Sequence, residues 1–156
     1  GVPMGANITQ PGANAKAPRF MVTAAKDPHG ANLDRIQIIK GWLDKKGVAQ
    51  EKIYDIALSD NRKVNTATNK ASEVGNTVIV SEATYSNKIG AAQLVSYWQD
   101  PDFSAATQAF YYVRVLEIPT PRWTAYDAKF FERDLPDEIT MWQQERAYSS
   151  PIWYSP

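Results

Sequence analysis

One stretch of the chain, residues 109–118 (AFYYVRVLEI), constrains the fold more than any other. Apart from Arg114 and Glu117, its residues are apolar or aromatic at every position. That pattern is typical of a strand covered on both faces. Pro119 and Pro121 follow, and a proline cannot donate a hydrogen bond to a neighbouring strand. The stretch therefore predicts a central β-strand that stops near Ile118.

A second signal predicts a β-hairpin. Residues 33–43 are rich in β-branched side chains, and residues 50–59 resume an alternating pattern. Ile36 and Ile38 would share one face of the first strand, while Tyr54 and Ile56 would share one face of the second. Between them, residues 44–47 (DKKG) have the composition of a turn. We therefore expect two antiparallel strands joined by that turn.

The remaining segments complete an expected sheet structure. Residues 20–22, 77–85 and 151–154 are strand-like, the last as a short edge strand, and residues 60–75 predict an exposed polar loop. Residues 91–98 favour one or two helical turns with a strand as the alternative, and a short helix is expected near residues 141–146. Strands separated by turns predict an antiparallel, immunoglobulin-like β-sandwich with long loops and one or two short helices, as a single domain over residues 1–156.

Composition excludes several classes of function. The 17 basic side chains balance the 17 acidic ones, so no net charge draws the chain to nucleic acid. No apolar run approaches the roughly 18 residues that a membrane-spanning helix needs. The absence of cysteine removes disulfides, thiol nucleophiles and thiolate metal sites.

The candidates for catalytic or metal chemistry are weak. His29 is the only histidine and stands in a turn-forming Asp-Pro-His-Gly sequence. Two sets of residues have a spacing loosely similar to that of calcium ligands, but neither completes a calcium-binding loop; they are Asp27, Asn32 and Asp34, and Asp100 and Asp102. We expect these residues to form turns, and we expect no catalytic residue, metal site or cofactor in this chain.

An aromatic and basic stretch is the best candidate site. Arg122, Trp123 and Tyr126 lie close together in sequence, and Arg146 follows in a C-terminal third rich in aromatic residues. Such side chains either cover the end of a core or form a contact with a ligand or another domain, because Trp, Tyr and Arg are enriched at interfaces. We predict these four residues as a ligand or interdomain contact.

Several segments together resemble one bacterial family, the domain of unknown function 3604. They are GVPMG, KDPHGANLDRIQIIKGWLDKKG, EKIYDIALSD, VGNTV, DPDF, FYYVRVLEIPTPRWTAYDA and QERAYSSPIWYSP, in the family's order over almost the whole chain. The resemblance implies that the chain is the C-terminal part of a larger, periplasmic or secreted protein. Upstream, the family carries a Gly-Asp-Leu-His-x-His-Thr type segment, similar to the metal-binding opening of polymerase-and-histidinol-phosphatase (PHP) hydrolases. No ligand of that divalent-metal site matches a position here.

Three hypotheses follow for the function. The first is a non-catalytic accessory domain that packs against the upstream catalytic region of a PHP-like hydrolase and shapes its cleft. The second is a carbohydrate- or polymer-binding module, for which an exposed coplanar pair among Trp42, Trp98, Trp123 and Trp142 would be the sign. The third is a purely structural domain. If the sandwich takes a strand from a preceding segment, the chain would also self-associate through an exposed sheet edge.

Overall fold

The structure, a computed structural model, describes residues 1–9, 16–65 and 70–156. Its strands are β1 (Asn7–Thr9), β2 (Arg19–Ala25), β3 (Leu33–Leu43), β4 (Ala49–Leu58), β5 (Val64–Asn65), β6 (Lys70–Ala71), β7 (Gln93–Gln99), β8 (Ala109–Glu117), β9 (Thr120–Pro121), β10 (Trp142–Gln143), β11 (Arg146–Tyr148) and β12 (Ile152–Ser155). One α-helix, α1 (Trp123–Phe130), and a short 3₁₀ helix at Val80–Glu82 complete these elements. The predicted mainly β class is confirmed.

The larger sheet has the strand order β1-β12-β8-β3-β4, and β11 also pairs with β8. Strand β8 thus has β3 on one side and β11 and β12 on the other, which confirms the predicted central strand. The pairs within this sheet are antiparallel except that of β1 with β12, which is parallel. The C-terminal strand, expected at an edge, is therefore covered by β1.

A second layer, the antiparallel pair β2–β7, packs over one face of the larger sheet. Phe20 from β2 meets Ile38, Tyr111 and Tyr154 of the larger sheet in one cluster of buried side chains. Leu94 from β7 packs with residues of β3 in a second cluster. Because two sheets bury their facing sides against each other, the fold is a β-sandwich, as the sequence predicted.

The predicted hairpin is confirmed as β3 and β4. Asp44 closes the turn, its Oδ1 accepting hydrogen bonds from the backbone N–H groups of Lys46 (2.8 Å) and Val48 (2.9 Å). Gly47 adopts a φ of +76°, a conformation that a residue without a Cβ takes at little cost. The register shifts by one residue between Ile36 and Gln37, so that Gln37 pairs with Asp55.

Two of the predicted local structures are wrong, and in a third segment the alternative of a strand is confirmed. The strand expected at residues 77–85 is a tight loop around the 3₁₀ helix, where the Thr77 hydroxyl donates to the Ser86 carbonyl (2.7 Å). Residues 91–98, expected to favour helix, contribute to β7, because Leu94 and Trp98 alternate into the core. The short helix expected near residues 141–146 lies instead at Trp123–Phe130, and residues 142–148 form two short strands.

The polar segment at residues 60–75, predicted as an exposed loop, contains the short strands β5 and β6 and a contact with the larger sheet. Residues 66–69 of that prediction lie outside the described residues. Arg62 reaches back into the sheet, and its guanidinium donates to Asp34 Oδ1 (2.5 Å) and to the Ser72 carbonyl (2.8 Å). That side chain therefore ties the segment to β3. Among the described residues, no helix is long and apolar enough to cross a bilayer.

Candidate interaction surface

Helix α1 begins where the prolines have ended β8. Arg122 precedes the helix in an extended conformation, and its carbonyl accepts the first helical hydrogen bond, from the Ala125 N–H (2.9 Å). Thr124 and Ala125 are buried against the rest of the protein, and the Thr124 hydroxyl donates to the Thr140 carbonyl (2.7 Å). Lys129 donates to the Glu82 carbonyl (2.9 Å) at the other end of the helix. The helix is thus held in place through one side and both ends.

The other side of α1 presents three aromatic rings to solvent. Trp123, Tyr126 and Phe130 follow one another at i, i+3 and i+7, so they share one side of the helix. Their exposed fractions are 62%, 51% and 81%. Amphipathic helices turn such a stripe towards a core, whereas α1 turns it outward. We call these three residues the helix face.

Further exposed apolar side chains adjoin the helix face in sequence. Phe131, directly after α1, packs edge-to-face on Phe130 with ring centroids 5.0 Å apart. The Arg122 guanidinium lies 5.8 Å from the centre of the Trp123 ring, in a cation–π arrangement. The chain between α1 and β10 adds Leu135 and Ile139 to the exposed apolar residues, and β10 adds Trp142.

The helix face is as large as the largest apolar patch on a typical folded monomer. At roughly 200 Å² per aromatic side chain, the three exposed fractions leave about 390 Å² of ring surface in contact with water. An exposed apolar patch of this size on a folded monomer often marks a contact with another molecule or domain.

The predicted residues do not all belong to this surface. Arg122, Trp123 and Tyr126 lie together at the start of α1, as the sequence suggested. Arg146 is on β11, opposite Leu116 of β8, and is exposed there on a different element. Sequence reasoning missed Phe130, although its spacing of seven residues from Trp123 carries the signal once a helix is recognised.

The acidic residues considered as metal ligands are engaged with cations or backbone groups. Asp34, with no exposed side-chain surface, accepts from Arg35 Nε (3.0 Å) and from Arg62 as described above. Asp27 accepts from the backbone N–H of His29 (2.8 Å), the exposed histidine of the turn. Within the described residues, no group of three or more His, Cys, Asp or Glu side chains is placed to hold a metal ion.

A second ion-pair cluster lies at the end of the core, around Asp100 and Asp102. Lys40 Nζ donates to the buried carboxylate of Asp100 at 2.6 Å, and the Tyr111 hydroxyl donates to the same oxygen at 2.7 Å. Burial and this hydrogen bond raise the pKa of Tyr111 above its usual range. Asp102 accepts from Lys52 (2.5 Å) and Tyr54 (2.6 Å), which lower the pKa of the Asp102 carboxyl. Each of the two carboxylates thus accepts from one lysine and one tyrosine hydroxyl.

The comparison with protein families decides the identity. The family model described as "Protein of unknown function (DUF3604)" matches residues 1–156. The chain belongs to the DUF3604 family. No curated protein and no solved structure matches it. The resemblance to this family that the sequence showed is therefore confirmed. Because the family has no known function, a function for this DUF3604 chain has to be inferred from the arrangement of its side chains.

The four tryptophans considered for carbohydrate binding occupy different environments in the DUF3604 chain. Trp42 and Trp98 are partly buried and pack against the core cluster around Tyr111. Trp123 and Trp142 are exposed, one on α1 and the other on β10. The hypothesis that a coplanar pair among these four stacks on a sugar stays a prediction.

Proposed function

We propose that this chain is a non-catalytic accessory domain that docks, through the helix face, onto the catalytic region of the same protein, a PHP-like metal-dependent hydrolase. The observation that carries the proposal is the outward-facing stripe of Trp123, Tyr126 and Phe130 on a helix whose opposite side is anchored. The family resemblance supplies the identity of the partner, as the region that precedes this domain. In that arrangement Arg122, beside Trp123, would lie at the border of the contact and close to the rim of the catalytic cleft.

The energetics support a contact of this kind. Removing about 390 Å² of apolar surface from water at about 25 cal/mol per Å² stabilises the docked state by about 10 kcal/mol before the costs of association. A standard protein interface buries roughly 800 Å² on each partner, so the helix face would supply about half of one side. Exposed neighbours such as Phe131 and Trp142 extend the apolar area further.

The anchoring of α1 lowers the cost of docking. The Thr124 hydrogen bond to the Thr140 carbonyl and the buried Ala125 fix the position of the helix before any partner arrives. Aromatic side chains have few rotatable bonds, so their immobilisation costs little conformational entropy. A rigid helix with aromatic residues on its open side is thus preorganised for binding.

Hydroxyl-radical footprinting of the intact protein tests the proposal directly. Tyr97, on β7, is 76% exposed and serves as the matched control for Tyr126, which is 51% exposed in this domain. If the helix face docks, oxidation of Tyr126 is expected to be about tenfold slower than that of Tyr97, because a ring at the centre of an interface loses contact with water. Trp123 and Phe130 are expected to be protected with it.

The opposite result has a distinct signature. A Tyr126 rate at roughly two-thirds of the Tyr97 rate, the ratio of 51% to 76%, would mean that the helix face stays in solvent and would overturn the proposal. The non-catalytic part is tested separately by incubating this domain with divalent metal and phosphoester substrates. Sustained hydrolysis by the domain alone would contradict it.

A further inference from the structure

A shallow groove of about 450 Å³ crosses the end of the larger sheet, away from α1. Its floor is formed on the outer side of the sheet, the side opposite the β2–β7 layer, by Gly41 of β3, Phe110 of β8 and Trp153 of β12. Register places these three residues in adjacent positions, because Phe110 pairs with both Gly41 and Trp153. The groove therefore rests on three neighbouring strands.

The aromatic floor depends on the glycine. A Cβ at position 41 would lie 2.2 Å from the Phe110 Cζ, so the ring occupies the space that a side chain would need. The Phe110 ring can therefore pack flat against the backbone of β3 at Gly41, and its outer face is left accessible to a ligand. The Trp153 ring lies 5.2 Å from the Phe110 ring, centroid to centroid, and Trp153 is 47% exposed. Two adjoining rings thus offer apolar surface to a ligand.

Polar side chains rather than cations surround these rings. Gln50, Glu51 and Gln108 line the groove, and no Lys, Arg or His is among the described residues that do so. The exposed side chains of Glu51 and Gln108 have no hydrogen-bond or ion-pair partner within the described ranges of the chain. A carboxylate and an amide are therefore available to hydrogen-bond with a ligand, while a negative ligand would meet an uncompensated Glu51.

We propose that this groove binds a neutral oligosaccharide. The apolar C–H face of one sugar ring would stack on Trp153 and the adjoining Phe110, and its hydroxyls would donate to Glu51 and hydrogen-bond with Gln108. A ligand site that combines an aromatic floor with a few polar groups fixes both the position and the orientation of its ligand. The absence of cations from the lining among the described residues selects uncharged sugars over anionic ones.

This site is independent of the proposed docking of the helix face. The groove lies at the start of β8, whereas α1 follows the end of the same strand. The nine residues of β8 span roughly 26 Å at about 3.3 Å per step, so the two surfaces lie at opposite ends of the sheet. Trp123, on the helix face, therefore supplies a matched tryptophan control for Trp153.

Nuclear magnetic resonance titration of this chain tests the groove. The probes are cellohexaose, maltohexaose, xylohexaose and chitohexaose as neutral oligosaccharides, with hexagalacturonate as the anionic comparison. The five tryptophans each give an indole N–H signal, and that of Trp153 is expected to shift with at least one neutral probe at concentrations up to about 10 mM. The Trp123 signal and the hexagalacturonate titration are expected to show no change.

Variants distinguish the groove from other surfaces. Trp153→Ala is expected to weaken binding at least about tenfold, because it removes the more exposed ring, while Trp123→Ala leaves the affinity unchanged. Glu51→Gln, which keeps the shape of the side chain, is expected to weaken binding several-fold. If none of the neutral probes shifts the Trp153 signal, or if Trp153→Ala binds as tightly as the unaltered chain, the proposal is overturned.

Discussion

The buried ion pair between Lys40 and Asp100 gives a sharp test of how this sandwich is stabilised. The side chains are 7% and 0% exposed, and Lys40 Nζ also donates to the Asp102 carbonyl (2.8 Å). Lys40→Met keeps the length and packing of the side chain but removes the charge. Asp100 then stays buried with only the Tyr111 hydroxyl and its local contacts. Breaking one partner of such a pair costs about 3–5 kcal/mol.

That loss is large for a domain of this size. Folded domains are stable by about 5–15 kcal/mol, so the loss caused by Lys40→Met lies between about a fifth of the upper value and the whole of the lower one. At about 2–4 °C per kcal/mol for a chain of 156 residues, the melting temperature falls by roughly 6–20 °C. The measurement is urea unfolding at neutral pH, followed by circular dichroism and compared with a thermal melt.

The matched control is the neighbouring pair of Lys52 and Asp102. Its side chains are 45% and 48% exposed, and their Nζ–Oδ2 distance is 2.5 Å. Lys52→Met is expected to cost no more than about 1 kcal/mol, because solvent screens an exposed pair. The two substitutions remove the same charge from lysines in adjacent strands, so the difference between them measures burial.

A double-mutant cycle completes the test. Adding Asp100→Asn to Lys40→Met removes the unpaired buried charge, so the double variant is expected to be more stable than the sum of the single losses by about 1–3 kcal/mol. If the losses in unfolding free energy are additive, or if Lys40→Met costs less than about 1 kcal/mol, the reasoning that this ion pair is shielded from solvent is refuted.

Two further perturbations are predicted from single contacts. Gly41→Ala places a Cβ against the Phe110 ring and is expected to lower the free energy of unfolding by about 1–3 kcal/mol, as measured by urea unfolding. Adding Phe110→Leu to this variant should restore part of that loss. An unchanged stability of Gly41→Ala would contradict the packing. Burial, with the nearby charge of Glu145, raises the pKa of the Glu117 carboxyl, so the folded state holds that proton more tightly than the unfolded state. Stability then falls as pH rises from the unfolded pKa of about 4.5 through the raised folded value. Glu117→Gln should be the more stable form at pH 7 and lose that advantage below about pH 4.5; an equal pH dependence in both would exclude the effect.

Strand prediction succeeded for β3 and β8, where apolar residues occur along the whole segment. In β3, Ile36 and Ile38 face the β2–β7 layer, and the Asp44 turn fixes the partner strand locally. Both signals act over a few residues, so they are visible in the sequence. The segment at 77–85 has the same composition as a strand, yet Ile79 and Val80 are exposed in a loop. Ile79 forms an isolated bridge with Thr84 of the same loop and is not part of a ladder between the described strands.

Helix α1 shows the reverse case. Its stripe of Trp123, Tyr126 and Phe130 has helical spacing, but the residues packed inward are the small Thr124 and Ala125. Prediction from sequence places large apolar residues in the interior, so for this segment it would orient the helix with the wrong side inward. Of the four predicted contact residues, three lie together at the start of α1, whereas the pairing of β11 with β8 places Arg146 on another element.

The groove residues could not be assembled from sequence at all. Gly41, Phe110 and Trp153 come from three distant parts of the chain and meet only through the register of β3, β8 and β12. Register depends on which strands pair, and pairing is decided by the whole sheet.

The central strand, the hairpin and the family were determined by the sequence alone, because each depends on residues that are neighbours in the chain or on the order of matching segments. Only the tertiary structure decided that the aromatic stripe of α1 points outward and that the buried Asp34 and Asp100 are each paired with a basic side chain. The physical reason is the same in each case. Exposure and charge pairing depend on groups brought together from distant positions, and local preferences carry no information about them.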